Sequence, residues 1–362
     1  CICAAISWTR ATRIMAGGSL MISSVSQIQE VIAIPQEYFW LPWAVQYFFF
    51  IGIACCATLY ACWQCWKGRT GNPRLEAVAV FIAVTAGITA PLALTADLHQ
   101  TARVWHFYAY PTPWSWMAWG SLLLPLFSAF SILYFIAMVV RLVWKREYKL
   151  TRWVALACAL TSIGLLLYTG REASILKARP VLYTYWLPIL LFFSAMQVLP
   201  TLLALGTRRE PVYQRELAMW FIGSLMLLAV CTGFWIAGDT ISGQAIRQQL
   251  AIGSLGWWSA IGVIALWIVS VAMGGLMAKQ ARSVAFITVM AFISMGLAWV
   301  LRWLMLMGSQ YIPKYNIITN PYQFPLGNDG LLAIVGTFGL WIALTIIFRE
   351  SIRWVVRRVQ HG

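Results

Sequence analysis

The sequence predicts an all-α polytopic membrane protein with about nine transmembrane helices. The 362-residue chain is 61% hydrophobic and has a mean hydropathy of +0.75, which is far above the level of a soluble domain. Its apolar runs have the length of an α-helix that crosses a hydrocarbon core of about 30 Å. The runs do not alternate with period two, so helices are expected rather than a membrane-spanning barrel.

The nine predicted spans are apolar runs, each followed by a polar or turn-forming connection. In chain order they cover residues 40–62, 77–97, 117–143, 153–170, 186–205, 217–237, 257–276, 284–306 and 331–348.

Lysine and arginine residues are distributed unevenly between the connections. Most of them lie in the first, third, fifth and seventh connections and in the C-terminal tail, for example Lys67, Arg152 and Arg357. By the positive-inside rule these segments and the C-terminus are cytoplasmic. The N-terminus and the longer, aromatic-rich loops then face the periplasm. Because long ordered loops often carry binding sites, we expect the outer face to be the working face.

Charge and cysteine content exclude several other interpretations. The net charge of +15 is explained by membrane orientation, so no nucleic-acid partner is expected. Most of the cysteines that follow residue 50 lie inside apolar runs, where they act as small hydrophobic residues. Cys62 and Cys65 form an isolated CxxC pair, which is a weak metal signal. Residues 1–20 lack the layout of a secretory signal, and we treat them as a candidate non-native leader that precedes Met21.

Residues 95–120, TADLHQTARVWHFYAYPTPWSWMAWG, concentrate ionisable and aromatic side chains directly after the second span. Polar groups at membrane depth are costly and are usually functional. Tyr168 and Glu172 are four residues apart and share a helix face if the fourth span continues that far. Any one of these residues is equally well explained as an interface residue paired across helices. Further ionisable residues near outer span ends are Asp239, Arg302 and Asp329.

The chemistry that suits such a cluster is oxidation of a hydroquinone, which releases two protons and two electrons. The reaction needs a proton acceptor for each hydroxyl and hydrogen-bonding groups that hold the ring. The candidate proton acceptors are Asp97, His99 and Glu172. The candidate binding residues are Gln46, Arg103, Tyr168 and Arg171.

Other chemistries are disfavoured by what the spans lack. The histidines are His99, His106 and His361, so no pair lies on facing helices where it could ligate haem. No metal site is predicted in this chain, and any redox metal is expected in a partner. No Asp, Glu, Lys or His falls in the middle of a predicted span, which favours one-sided chemistry over pumping. A transporter would need broken helices with polar groups at the midplane, and a purely structural tether would need no quinol site.

Several long strings resemble the NrfD-like family of polysulphide reductase membrane anchors. They are residues 90–120, LPWAVQYFFFIGIA at 41–54, YTGREASILKARP at 168–180, GDTISGQAIRQ at 238–248 and NPYQFPLGNDG at 320–330. The resemblance covers about residues 21–362. It implies two four-helix bundles, here with an extra C-terminal helix, so we divide the chain into a first bundle at 21–180 and a second bundle plus the last helix at 181–362.

The resemblance also implies an activity and partners. The chain is expected to sit in a bacterial inner membrane, to oxidise menaquinol and to carry no haem. Electrons would pass to a ferredoxin-like iron–sulfur subunit and then to a molybdopterin catalytic subunit, both on the periplasmic face. The family's quinol pocket near the periplasmic end of the first bundle corresponds to Gln46, Asp97, His99, Arg103, Tyr168 and Glu172.

Overall fold

The computed structural model describes residues 40–98, 100–144, 149–311 and 322–361, which belong to one compact unit. The candidate leader at 1–20 and His99 lie outside these ranges. Twelve α-helices are described: α1 Pro42–Trp66, α2 Pro73–Asp97, α3 His106–Ala109, α4 Trp116–Trp144, α5 Lys149–Ser174, α6 Leu187–Met196, α7 Val198–Gly206, α8 Gln214–Ala237, α9 Ile241–Gln249, α10 Leu255–Lys279, α11 Val284–Leu306 and α12 Leu331–His361.

Nine of the described segments are long and apolar enough to cross a membrane, and no strand is assigned within the described ranges. Eight of them begin and end within about six residues of the predicted spans, and the ninth, α12, continues to His361 instead of ending at 348. The prediction of an all-α polytopic membrane protein is confirmed. The short helices α3 and α9 lie in connections on the predicted outer side.

Side-chain caps and prolines fix several helix starts. Pro42 and Pro73 occupy first helical positions, where the missing N–H costs nothing. The Asn72 side chain accepts hydrogen bonds from the backbone N–H groups at the start of α2. Ser254 and Ser283 cap α10 and α11 in the same way. These caps satisfy orphan donors at the helix ends.

The spanning helices pack as two groups of four plus one. Helices α1, α2, α4 and α5 pack as the first bundle, and α6 with α7, α8, α10 and α11 form the second. The last span, α12, packs against α1, α2 and α4. Helix α1 also contacts α6, α7 and α11, so it is almost completely enclosed by protein.

Arg302 of α11 holds the two bundles together and is 1% exposed. Its guanidinium donates to the Phe48 carbonyl of α1 at 3.1 Å, to the Leu191 carbonyl at 3.1 Å, and to the Ser194 hydroxyl at 3.0 Å. A Cβ at Gly52 would lie 2.9 Å from the Arg302 side chain, so a glycine is needed at this crossing. Arg302 is therefore a structural residue in the interface between the bundles.

The fifth span is interrupted where the sequence predicted a continuous helix. Helix α6 ends at Met196 and α7 begins at Val198. Pro200 has no N–H to donate to the carbonyl four residues before it, and its ring clashes with that carbonyl. Gln197, at the interruption, is fully buried and donates to the Ser294 carbonyl at 2.8 Å.

The first bundle contains a buried ion pair at its predicted cytoplasmic end. Glu76, in the first turn of α2, is 3% exposed and lies 2.8 Å from the Arg141 guanidinium of α4. The Tyr134 hydroxyl donates to the Glu76 carboxylate at 2.9 Å. The pair lies near a membrane boundary, which agrees with the prediction that no acid occupies the middle of a span.

Candidate functional site

The predicted outer end of the first bundle brings Tyr47, Tyr168 and Glu172 together. Helix α5 continues to Ser174, so Tyr168 and Glu172 share one face as the sequence predicts. The Tyr168 hydroxyl and the Glu172 carboxylate are close enough to interact, and both lie near enough to Tyr47 of α1 to act on it electrostatically. Two tyrosine hydroxyls and one carboxylate therefore lie in the same part of the α1–α5 interface.

The Tyr168 ring fits against a glycine on the neighbouring helix. A Cβ at Gly120 of α4 would overlap the Tyr168 ring and hydroxyl. The ring thus occupies the space that a side chain on α4 would fill, and α4 and α5 approach each other closely there. This packing fixes the position of the Tyr168 hydroxyl beside Glu172.

Tyr47 is a site residue that the sequence did not single out. Its side chain is 1% exposed, and its hydroxyl oxygen has no hydrogen-bond partner among the described residues. In the sequence it stands in the aromatic run Tyr47–Phe50, where nothing separates it from packing residues. A signal could have come from its position within one turn of Gln46, at the depth of Tyr168.

Gln46 is fully buried, and neither its amide nitrogen nor its amide oxygen has a hydrogen-bond partner in the described part of the chain. An unpaired buried amide costs about 1–3 kcal/mol. Costs of this kind are often tolerated where a side chain serves a ligand. Successive residues of a helix point about 100° apart, so Gln46 faces a different direction from Tyr47.

Arg171 lies in the last turn of α5, among aromatic rings. Its guanidinium carbon is 4.9 Å from the centre of the Tyr185 ring and 5.8 Å from that of Trp116. It also donates to the Ser174 hydroxyl at 3.5 Å. Arg171 therefore connects α5 to the adjacent outer loops.

Asp97 and Arg103 occupy the connection that follows α2. Asp97 is the last residue of α2 and is partly buried. Arg103 ends a short 3₁₀ helix and is exposed. His99, which we predicted as a proton acceptor with Asp97, lies outside the described residues. The structure thus places Asp97 at the predicted outer end of the first bundle and Arg103 exposed in the connection that follows it.

Two other predicted outer-end groups have structural roles. The Trp235 indole donates to the Ser242 hydroxyl at 2.8 Å, and that hydroxyl donates to the Val181 carbonyl. Arg247 donates to two carbonyls at the end of α8 and lies 3.5 Å from Asp239. These contacts organise the outer loops of the second bundle.

The arrangement suits a ligand with two polar ends and an apolar body. Helix α2 lies against α1, and its buried residues Ala90 and Ala93 have small side chains. By helical rise, Ala93 lies about 6 Å below Asp97, and Gln46 lies about the same distance below Pro42. Carboxylate, hydroxyl and amide groups can hold such a ligand, and a carboxylate can exchange protons with it.

Comparison with known proteins gives two findings. The model of the family "Polysulphide reductase, NrfD" matches residues 30–314. The curated C subunit of the tetrathionate reductase of Salmonella typhimurium is 48% identical over 335 residues, which cover 92% of this chain and 98% of that protein.

Proposed function

The chain belongs to the NrfD polysulphide reductase family, and we propose that it is the membrane anchor and quinol-oxidising subunit of a tetrathionate reductase. In this proposal the electron donor is menaquinol. The electrons leave through an iron–sulfur ferredoxin-like subunit and reach a molybdopterin catalytic subunit, which reduces tetrathionate. The similarity to a protein named as one subunit of a reductase supports the assembly with partners.

The observation that carries the quinol site is the buried polar group at one end of the first bundle. Tyr47, Tyr168 and Glu172 lie there in the same part of the α1–α5 interface, and Gln46, on an adjacent face of α1, has an unpartnered amide in the described chain. A site with unsatisfied donors and acceptors between apolar helices suits the headgroup of a lipid-soluble carrier.

In the proposed site, some residues of the chain accept protons and others bind the headgroup. A bound quinol supplies two electrons and two protons. The Glu172 carboxylate accepts a proton, and the Tyr168 hydroxyl beside it orients and relays that proton. Tyr47 and Gln46 hydrogen-bond the polar ends of the headgroup. Asp97, at the end of α2, accepts a proton on the way to the outer face, which Arg171 borders.

The chain is a multi-pass membrane protein. We propose that it lies in a bacterial inner membrane with its N-terminus in the periplasm and its C-terminus in the cytoplasm. The basic connections support this orientation by the positive-inside rule. Partner subunits then dock on the periplasmic side, where the connection at 98–115 exposes Trp105, Tyr108, Tyr110 and Trp114.

The proposal is tested on the purified complex with two electron donors. A menaquinol analogue must use this chain, whereas a reduced viologen dye delivers electrons directly to the partner subunits. We expect Glu172→Gln and Tyr168→Phe to slow the quinol-driven rate by about 10²-fold or more, as for loss of a proton-transfer group. The dye-driven rate should stay unchanged.

Tyr134→Phe is the matched control, because Tyr134 is a buried tyrosine at the other end of the same bundle, bonded to Glu76. Equal quinol-driven rates in Tyr168→Phe, Glu172→Gln and the wild type would refute the site. The same assay on Asp97→Asn and His99→Ala tests those two predicted proton acceptors.

One alternative, a membrane subunit of a different sulfur-compound or molybdopterin reductase, shares this quinol chemistry and differs only in the partner. The other alternative, an ion or solute transporter, is favoured by one observation, the interruption at Gln197 with its polar side chain at mid-span. Pro200 accounts for the interruption, and the Gln197 amide nitrogen already donates to two carbonyls, although the amide oxygen has no partner among the described residues. We therefore prefer the quinol-oxidising anchor.

A further inference from the structure

The last helix, α12, is an addition to the part of the chain that the family model covers. That match ends at residue 314, and α12 begins at Leu331. Although it follows the second bundle in the chain, α12 packs against α1, α2 and α4 of the first bundle. It thus covers the bundle that contains the candidate site.

Aromatic rings fix the position of α12 on this bundle. The Phe338 ring lies 5.6 Å from Phe49 and 5.4 Å from Phe50 of α1. Trp341 lies 5.5 Å from Phe50, and its indole donates to the Thr85 hydroxyl of α2 at 3.2 Å. Ala333 of α12 lies further toward the predicted outer side and is fully buried. Its small side chain permits a close approach between α12 and the bundle.

Gln46 lies on the same face of α1 as the two phenylalanines. Residues three and four apart on a helix share a face, so Gln46, Phe49 and Phe50 point toward the same neighbour. The rings of Phe49 and Phe50 contact α12, and Gln46 lies one turn nearer to the predicted outer surface. The buried Gln46 side chain, whose amide has no partner among the described residues, therefore lies on the face of α1 that α12 packs against.

We propose that α12 is a wall of the quinol site, with Phe338 and Trp341 as specificity-determining residues that close the site on the lipid side and hold the headgroup against the Gln46 amide. This inference rests on the proposed quinol oxidation. With the two rings in place, the amide is shielded from lipid and can be used by a bound headgroup. Without them, the face of α1 opens toward the bilayer and the headgroup loses one side of its site.

The test uses the complete complex and a short-tailed naphthoquinol analogue. We expect the double variant Phe338→Ala, Trp341→Ala to raise KM for the analogue about tenfold, while kcat changes less than about twofold, as for loss of binding without loss of chemistry. In the double variant, Phe338→Leu in place of Phe338→Ala should restore part of the affinity for the analogue, because leucine refills much of the volume of the Phe338 ring.

The control variant is Phe348→Ala. Phe348 is on the same helix and lies 5.2 Å from Phe135 of α4, nearer the predicted cytoplasmic side. Phe348→Ala removes a comparable ring contact away from the site, so the KM of this variant for the analogue should match that of the wild type. A control variant that raises KM as much as the double variant would show that α12 acts only through general packing, and would overturn the inference.

Failure of this inference can be told apart from failure of the proposed function. If Gln46→Leu raises KM but the Phe338 and Trp341 variants do not, the quinol site stands and α12 is not its wall. If the wild-type complex reduces tetrathionate with a viologen dye but does not oxidise the naphthoquinol, both proposals fail. Direct binding of a non-reducible naphthoquinone analogue, weakened about tenfold only in the double variant, gives the same answer without turnover.

Discussion

Replacing Gln46 with leucine should make the protein more stable and less active. The Gln46 side chain is 0% exposed, and both of its amide atoms lack a hydrogen-bond partner in the described chain. Leaving such a group buried costs about 1–3 kcal/mol, and leucine removes the cost with similar volume. We therefore expect Gln46→Leu to raise stability by about that amount and to weaken quinol binding.

Gln64 provides a matched control on the same helix. It is 4% exposed, but its amide nitrogen donates to the Tyr60 hydroxyl at 2.8 Å and its amide oxygen accepts from the Asn72 N–H at 2.9 Å. Gln64→Leu leaves the Tyr60 hydroxyl and the Asn72 N–H without these partners and should destabilise the protein by about 1–3 kcal/mol. The two substitutions are chemically identical, and the structure predicts opposite signs.

The assay is thermal unfolding of the detergent-purified complex, followed by the fraction of this protein that stays in solution. Gln46→Leu should shift the midpoint upward and Gln64→Leu downward, by a few degrees for each kcal/mol. The quinol KM of Gln46→Leu should rise in the same preparation. A lower midpoint for Gln46→Leu than for Gln64→Leu would refute the reasoning, because it would mean that the Gln46 amide is already satisfied.

Three further predictions concern the bundle interface, the Tyr168 position and charge movement. Arg302→Met should lower stability by at least about 3 kcal/mol, since it removes hydrogen bonds from a charged donor to two neighbouring helices, each worth about 1.5–3 kcal/mol, and a wild-type melting midpoint would contradict this. Gly120→Ala should displace the Tyr168 ring and raise the quinol KM, whereas Gly223→Ala, which meets no atom within 4 Å, should not. Vesicles that contain the complex should build no membrane potential during quinol-driven turnover, because protons and electrons both leave on the outer side; a sustained potential would refute one-sided chemistry.

The fold could be predicted almost completely because a bilayer leaves few choices. Apolar runs of spanning length must be helices, and eight of the nine predicted spans agree with the described helices within about six residues. The ninth was predicted too short, because the basic tail that follows its apolar run continues the helix to His361. The interruption of the fifth span was missed, although Pro200 signals it, because hydropathy does not register a local loss of one backbone hydrogen bond.

The candidate site was predictable in its location and only partly in its members. The spacing of Tyr168 and Glu172 predicted a shared face, and α5 does continue past both. Tyr47 was not distinguishable from its aromatic neighbours, because its importance comes from facing α5 across the bundle, and sequence spacing on one helix does not give that direction. The roles of Asp97 and Arg103, and of His99 beside them, stay predictions.

The two ends of the first bundle show why hydrogen-bond satisfaction separates a structural group from a functional one better than charge does. At the predicted cytoplasmic end, Glu76 is paired with Arg141 and accepts from Tyr134, so this buried carboxylate is already neutralised by protein. At the other end, Tyr47 and Gln46 carry no formal charge and have no described partner. A folded chain gains nothing by itself from burying unpaired polar groups. In the proposed function this cost is offset when a quinol headgroup binds, because the headgroup presents the donors and acceptors that these side chains lack.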